Sequence, residues 1–147
     1  MEISRPSLEE RAAECARELT FSATVAYDGA PFAGFAEQPG QLTVQGELEQ
    51  ALSLLFRRPV DVVCAGRTDA GVHAIAQVFH FDSELGMSRE QWLRAMNALL
   101  PPDIRMQDIV SVHDGFHARF DAVSKRYDYY LSYDVDNPFL QRYRAFY

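Results

Sequence analysis

VDVVCAGRTDAGVHAIAQVFHF, residues 60–81, holds two apolar runs, VDVVCAG and AIAQVFHF, joined through a tight loop from Gly66 to Gly71. Short runs rich in Val, Ile and Phe between glycines read as strands. The connection is too short to hold a helix, so the chain passes from strand to strand through a tight loop. Outward on both sides the period changes. Upstream, Thr43 stands where an N-cap belongs, and Val44, Leu48, Ala51, Leu52 and Leu55 recur at three- and four-residue steps, ended by Arg57-Arg58-Pro59. Downstream, Ser88 and Gln91 have capping-box spacing ahead of Trp92, Ala95, Met96 and Leu99, and Pro101-Pro102 close that helix.

Further out, LTFSATVAYDG (19–29) alternates Phe21, Ala23, Val25 and Tyr27 with small polar residues, the period of a half-buried strand. IRMQDIVSV (104–112) and SKRYDYYLSY (124–133) read as two more strands. The order is strand, helix, strand, strand, helix, strand, strand, which predicts an α+β, ferredoxin-like antiparallel sheet with helices on one face. An N-terminal helical extension is predicted over 1–18, opened by the Ser7 and Glu10 capping pair. Residues 29–42 are rich in Gly and Pro and read as a long loop, in which Phe32 and Phe35 serve either as buried anchors or as stacking surfaces.

With 147 residues, 48% of them hydrophobic, the chain has enough apolar surface for one ordinary domain, which argues against disorder. No apolar run has the length of a membrane span, and the first residues are acidic rather than basic then apolar, so a soluble, cytoplasmic protein is expected. Cys15 and Cys64 fit no zinc or CxxC spacing and read as reduced thiols. The net charge of −7 opposes a polyanionic partner, but the acidity is uneven. Residues 1–56 hold three basic and nine acidic side chains, whereas 57–147 hold eleven and twelve. Candidate phosphate contacts therefore lie in the second stretch: Arg57, Arg58, Arg119, Lys125, Arg126, Arg142 and Arg144. His73, His80, His113 and His117 lack ligand partners at metal spacing, and no metal is expected. His80, inside an apolar strand, reads as a satisfied core imidazole.

Asp69 lies between the glycines of the tight loop, with Arg67 two residues before it. Such an aspartate caps the turn through its own side chain, or acts as nucleophile or base with Arg67 holding it ionised or binding a phosphate.

The decapeptide AGRTDAGVHA (65–74) matches the signature of the tRNA pseudouridine synthase A family. YDGAPFAGF (27–35), TVQGELEQAL (43–52), QVFHF (77–81) and FHARFDAVSKRYDYYL (116–131) resemble further blocks of that family in the same order. The resemblance covers about residues 19–147 and implies the pseudouridine synthase N-terminal α/β domain, the first of two related halves. It departs from the family pattern at Ala36, where a Gln usually follows the aromatic. By resemblance, Asp69 is the catalytic aspartate, Tyr127 the tyrosine that stacks on the target base, and Arg67 the companion arginine. Arg119 and Arg126 are expected to hold the substrate, and His73, Gly66 and Gly71 to order the loop. The implied reaction converts uridine to pseudouridine at positions 38, 39 and 40 of the tRNA anticodon stem-loop, with no cofactor, in a homodimer. The alternative is a non-catalytic RNA-binding module that keeps the fold.

Overall fold

The alternating apolar residues at 19–27 build the central strand of the sheet. In the computed structural model, which describes residues 18–133, 137–141 and 143–146, β1 is Leu19–Tyr27, followed by helix α1 (Val44–Phe56), β2 (Val63–Cys64), β3 (Ala74–Ser83), helix α2 (Arg89–Leu99) and β4 (Ile104–Val112). The strands pair antiparallel in the order β2-β3-β1-β4. This is the predicted ferredoxin-like βαββαβ arrangement. The expected helical extension over 1–18 lies, but for Glu18, outside the described residues.

Phe21, Ala23, Val25 and Tyr27 of β1 and Phe79 and Phe81 of β3 share one buried face with Leu48 and Leu52 of α1 and Trp92 and Met96 of α2. Both helices thus cover the same side of the sheet. Burying each large side chain there stabilises the fold by roughly 1.5–3 kcal/mol. The predicted caps of α1 and α2 form: Thr43 Oγ1 accepts from the Gly46 amide, and Ser88 and Gln91 exchange the reciprocal capping-box bonds.

Two predicted strands are shorter than their sequence pattern. Val60 and Val62 are buried, yet the Val62 amide donates to Glu49 Oε1 of α1 at 3.1 Å, so only Val63 and Cys64 pair with β3. A helix side chain has taken the place of a strand partner. SKRYDYYLSY is not a strand of the main sheet at all. Only Leu131–Ser132 (β5) is extended and paired, parallel to Ala145–Phe146 (β6), in a separate ribbon. Its aromatics alternate correctly, but among the described residues no sheet edge meets them, and Tyr127, Tyr129, Tyr130 and Tyr133 are exposed.

Candidate functional site

The loop from Gly66 to His73 joins β2 to β3 and is held from below by the end of β1 and the 29–42 loop. The Tyr27 hydroxyl, on the inward face of β1, is 2.8 Å from Thr68 Oγ1. Burial pushes the Tyr27 phenol up, which keeps its proton in place. The Phe35 amide donates to the Thr68 carbonyl at 3.1 Å, the Gly71 amide to Phe32 O at 3.3 Å, and Gln77 Nε2 to Gly66 O at 2.6 Å. Phe32 and Phe35 are buried, 4% and 0% exposed, so they are anchors beneath the loop and not stacking surfaces. Gly71 takes φ +79°, but Gly66 does not have positive φ; its free space is instead occupied by the Lys125 side chain.

Asp69 itself is exposed. Its backbone carbonyl accepts from the Val72 amide at 3.2 Å, while its carboxylate has no hydrogen-bond or ion-pair partner among the described residues. Arg67 therefore forms no ion pair with it. The loop is fixed and its acid is left open, a combination suited to meeting a ligand.

His73 closes the loop. Its Nδ1 accepts the Gly29 amide at 2.9 Å and lies 3.1 Å from Asp28 Oδ1. Asp28 Oδ2 accepts from the Tyr143 hydroxyl at 2.9 Å, and the Tyr143 ring sits 5.2 Å from that of His73.

The other expected residues divide by position. Lys125 lies against Gly66, and with Arg67 it lowers the Cys64 thiol that burial pushes up, so two cations stand at the stem of the loop. Tyr127, 61% exposed, is within electrostatic reach of the Tyr27 phenol. Arg119 sits exposed on a turn at 117–121, and Arg126 pairs with Asp128 at 2.8 Å. Arg58 binds Glu18 and Glu84 beside the first residue of β1, whereas the loop meets the last. That places Arg58 about 25 Å away along the strand. Arg57, at the α1 C-cap with φ 54°, shares that distant end; Arg144 is exposed next to Tyr143, and Arg142 lies outside the described residues. His80 is not a core residue, since it stands on the helix-free face of the sheet, where its Nδ1 accepts the Ala118 amide. Among the described residues no group of three His, Cys, Asp or Glu side chains is placed to hold a metal ion, and no helix is long and apolar enough to cross a membrane.

Tyr27, Thr68 and Gln77 carry the loop without having been singled out in the sequence. The available signal was the inward position of Tyr27, because a buried tyrosine hydroxyl requires a partner.

The profile of the tRNA pseudouridine synthase family matches residues 23–121, which take in the second half of β1, both helices, the Asp69 loop and the turn bearing Arg119. The chain belongs to the tRNA pseudouridine synthase family. It is 45% identical over 130 residues to tRNA pseudouridine synthase A of Bacillus subtilis, covering 87% of this chain and 53% of that protein. It is 48% identical over 123 residues to the enzyme of the same name from Bacillus pumilus, covering 82% and 50%. With that of a Geobacillus species it shares 50% over 107 residues, covering 72% and 43%. This synthase-family chain thus spans about half the length of the curated relatives it matches, and the matched half contains the whole Asp69 loop.

Proposed function

We propose that the chain supplies the catalytic-loop half of a tRNA pseudouridine synthase, converting uridine to pseudouridine at positions 38, 39 and 40 of the anticodon stem-loop. The observation that carries this reading is an unpartnered, exposed carboxylate on a loop tied down on every side. Asp69 is the nucleophile or base. The glycosidic bond from C1' to N1 breaks, C1' rejoins the ring at C5, the C5 hydrogen leaves as a proton, and N1 takes up a proton in its place. The overall reaction gains and loses no other atom, so it requires no redox partner or metal.

Tyr127 stacks on the uracil once the base has left its helical stack. Arg67, Arg119 and Arg126 hold the RNA backbone, joined by Lys125 at the loop stem. Gly66, Gly71 and His73 keep the loop in register. Because Asp69 is exposed among the described residues of 19–147, which we take as the α/β unit of the first half of the synthase, the water exclusion that sharpens its chemistry comes from elements packed over it when tRNA binds. The setting we propose is a cytoplasmic homodimer, in keeping with the family resemblance.

The test is tritium release from tRNA labelled at C5 of uridine. Wild type releases label and Asp69→Ala does not, although both bind the tRNA. Release that survives Asp69→Ala would remove Asp69 from the chemistry. Binding without release by either protein would favour the RNA-binding module.

A further inference from the structure

We infer that His80 is a positioning residue: its ring docks the 117–121 turn on the helix-free face of the sheet and so sets the course of the segment that brings Lys125 and Tyr127 to the Asp69 loop. The inference rests on the function proposed above for its consequence, though not for the contact itself.

Phe79 and Phe81 point into the helix-side core, so His80 between them faces the opposite way, beside Ser22 of β1 and Val63 of β2 in the register. Ala118 is only 3% exposed yet lies outside the helix-side core. It is buried by a separate contact on this second face. The Ala118 amide donates to His80 Nδ1 at 2.9 Å, and the His117 and Phe116 rings meet the His80 ring edge-on at 4.9 and 6.0 Å. This hydrogen bond ties the 117–121 turn to the four-stranded sheet.

The docked turn is already a unit. The His117 amide donates to Asp121 Oδ2 at 2.7 Å and the Asp121 amide returns to His117 O at 2.9 Å. The Arg119 and Phe120 amides both reach His117 Nδ1 at 3.2 Å, and the Phe120 ring stacks on His117 at 4.1 Å. A turn closed by its own side chains moves as a body, so one bond to the sheet is enough to place it. Four residues beyond Asp121 the chain reaches Lys125, against Gly66. Displacing the turn therefore displaces the basic and aromatic groups at the loop stem.

Because Nδ1 accepts, the bond exists only while the ring is neutral there. The charged groups facing His80 are His117 and Asp121 in the turn and Asp82 on its own strand. Burial, then His117, hold its pKa below the ordinary value of 6.5, against the opposing pull of Asp82 and Asp121. A lowered histidine pKa means the contact is complete above about 6.5 and is lost as pH falls through the folded-state value.

Hydrogen exchange followed by mass spectrometry on the whole chain tests the contact without reference to activity. His80→Leu removes the acceptor, and His80→Asn puts Oδ1 near the place of Nδ1. Peptides within 116–127 should exchange about tenfold faster in the Leu variant and near the wild-type rate in the Asn variant, with β1 and β4 unchanged. In wild type, protection of the Ala118 amide, corrected for intrinsic rates, should fall on acidification below the ordinary histidine range further than it does in His80→Asn. This pH comparison decides the matter if His80→Leu fails to fold. Equal protection in all three proteins, or an equal loss in Leu and Asn, would overturn the role. In the tRNA assay His80→Leu should raise KM about tenfold with kcat nearly kept, and His80→Asn should restore it; a loss of protection without a change in KM would also overturn positioning. Absence of turnover in wild type would defeat the proposed reaction and leave the exchange result standing.

Discussion

Asp69 and Gly34 show how one residue's freedom depends on another's constraint. Asp69 is open at its carboxylate and closed at its backbone, because Thr68 before it is held by Tyr27 and Phe35, and Gly71 after it by Phe32. Replacing only the chemistry, with Asp69→Asn, should leave the melting temperature within a degree or two of wild type and reduce turnover roughly a thousandfold or more, as removal of an acid–base group does. Thermal unfolding beside single-turnover tritium release checks both halves of that expectation. Gly34 gives the opposite case. It takes φ +106°, and a Cβ there would come within 2.8 Å of the Thr68 carbonyl. Gly34→Ala should therefore cost roughly 1–3 kcal/mol of stability and also lower turnover, because the collision is transmitted to the residue before Asp69. The emission of Trp92, the sole tryptophan and fully buried in the core, reports the unfolding midpoint. A Gly34→Ala protein of unchanged midpoint would show that the 29–42 loop yields without pulling on Thr68.

At the scale of elements, what was legible in the sequence is what is decided locally. Thr43 and the Ser88–Gln91 pair mark helix starts because a cap bonds to amides two or three residues away, and β1 declares itself through alternation along its own length. The glycine-framed loop around Asp69 was equally visible. What escaped depends on distant partners: Phe32 and Phe35 have no nearby signal that they lie under Thr68 and Gly71, and YDYYLSY has the alternation of a strand without a sheet edge among the described residues. The edges themselves are also set at long range. Asn97 of α2 donates to the Met106 carbonyl at 3.0 Å and accepts from the Met106 amide at 2.8 Å, and Arg89 reaches Gln107 O at 3.3 Å. Both helix side chains thus satisfy β4 backbone groups beyond those paired with β1. Removing both Asn97 bonds with Asn97→Ala should cost roughly 1–3 kcal/mol through unsatisfied Met106 groups and raise amide exchange at 105–107 above that of β1. Equal exchange there would mean that water replaces Asn97 at no cost.

Among the described residues the sheet is covered by helices on one face and open over much of the other. The helices bury the odd-numbered side of β1, while on the second face the turn at 117–121 docks through Ala118 and the chain beyond it exposes Val123 at 99%, Tyr129 at 86% and Phe139 at 86%. Large apolar side chains left this exposed along one stretch of chain offer area that another chain or segment can bury. The β4 edge is partly closed to that contact, since Asn97 and Arg89 already occupy the Met106 and Gln107 backbone groups. The 147-residue chain on its own should therefore self-associate through the aromatic stretch at micromolar concentration. Sedimentation velocity across a concentration series measures this directly. Tyr129→Glu combined with Phe139→Glu should hold the chain monomeric at an unchanged far-ultraviolet dichroism spectrum, because both side chains are exposed and neither supports the core. Asn97→Ala, which frees the β4 edge, should leave wild-type association intact. If the double Glu variant still associates while Asn97→Ala strengthens association, the sheet edge and not the aromatic face is where copies of this chain meet.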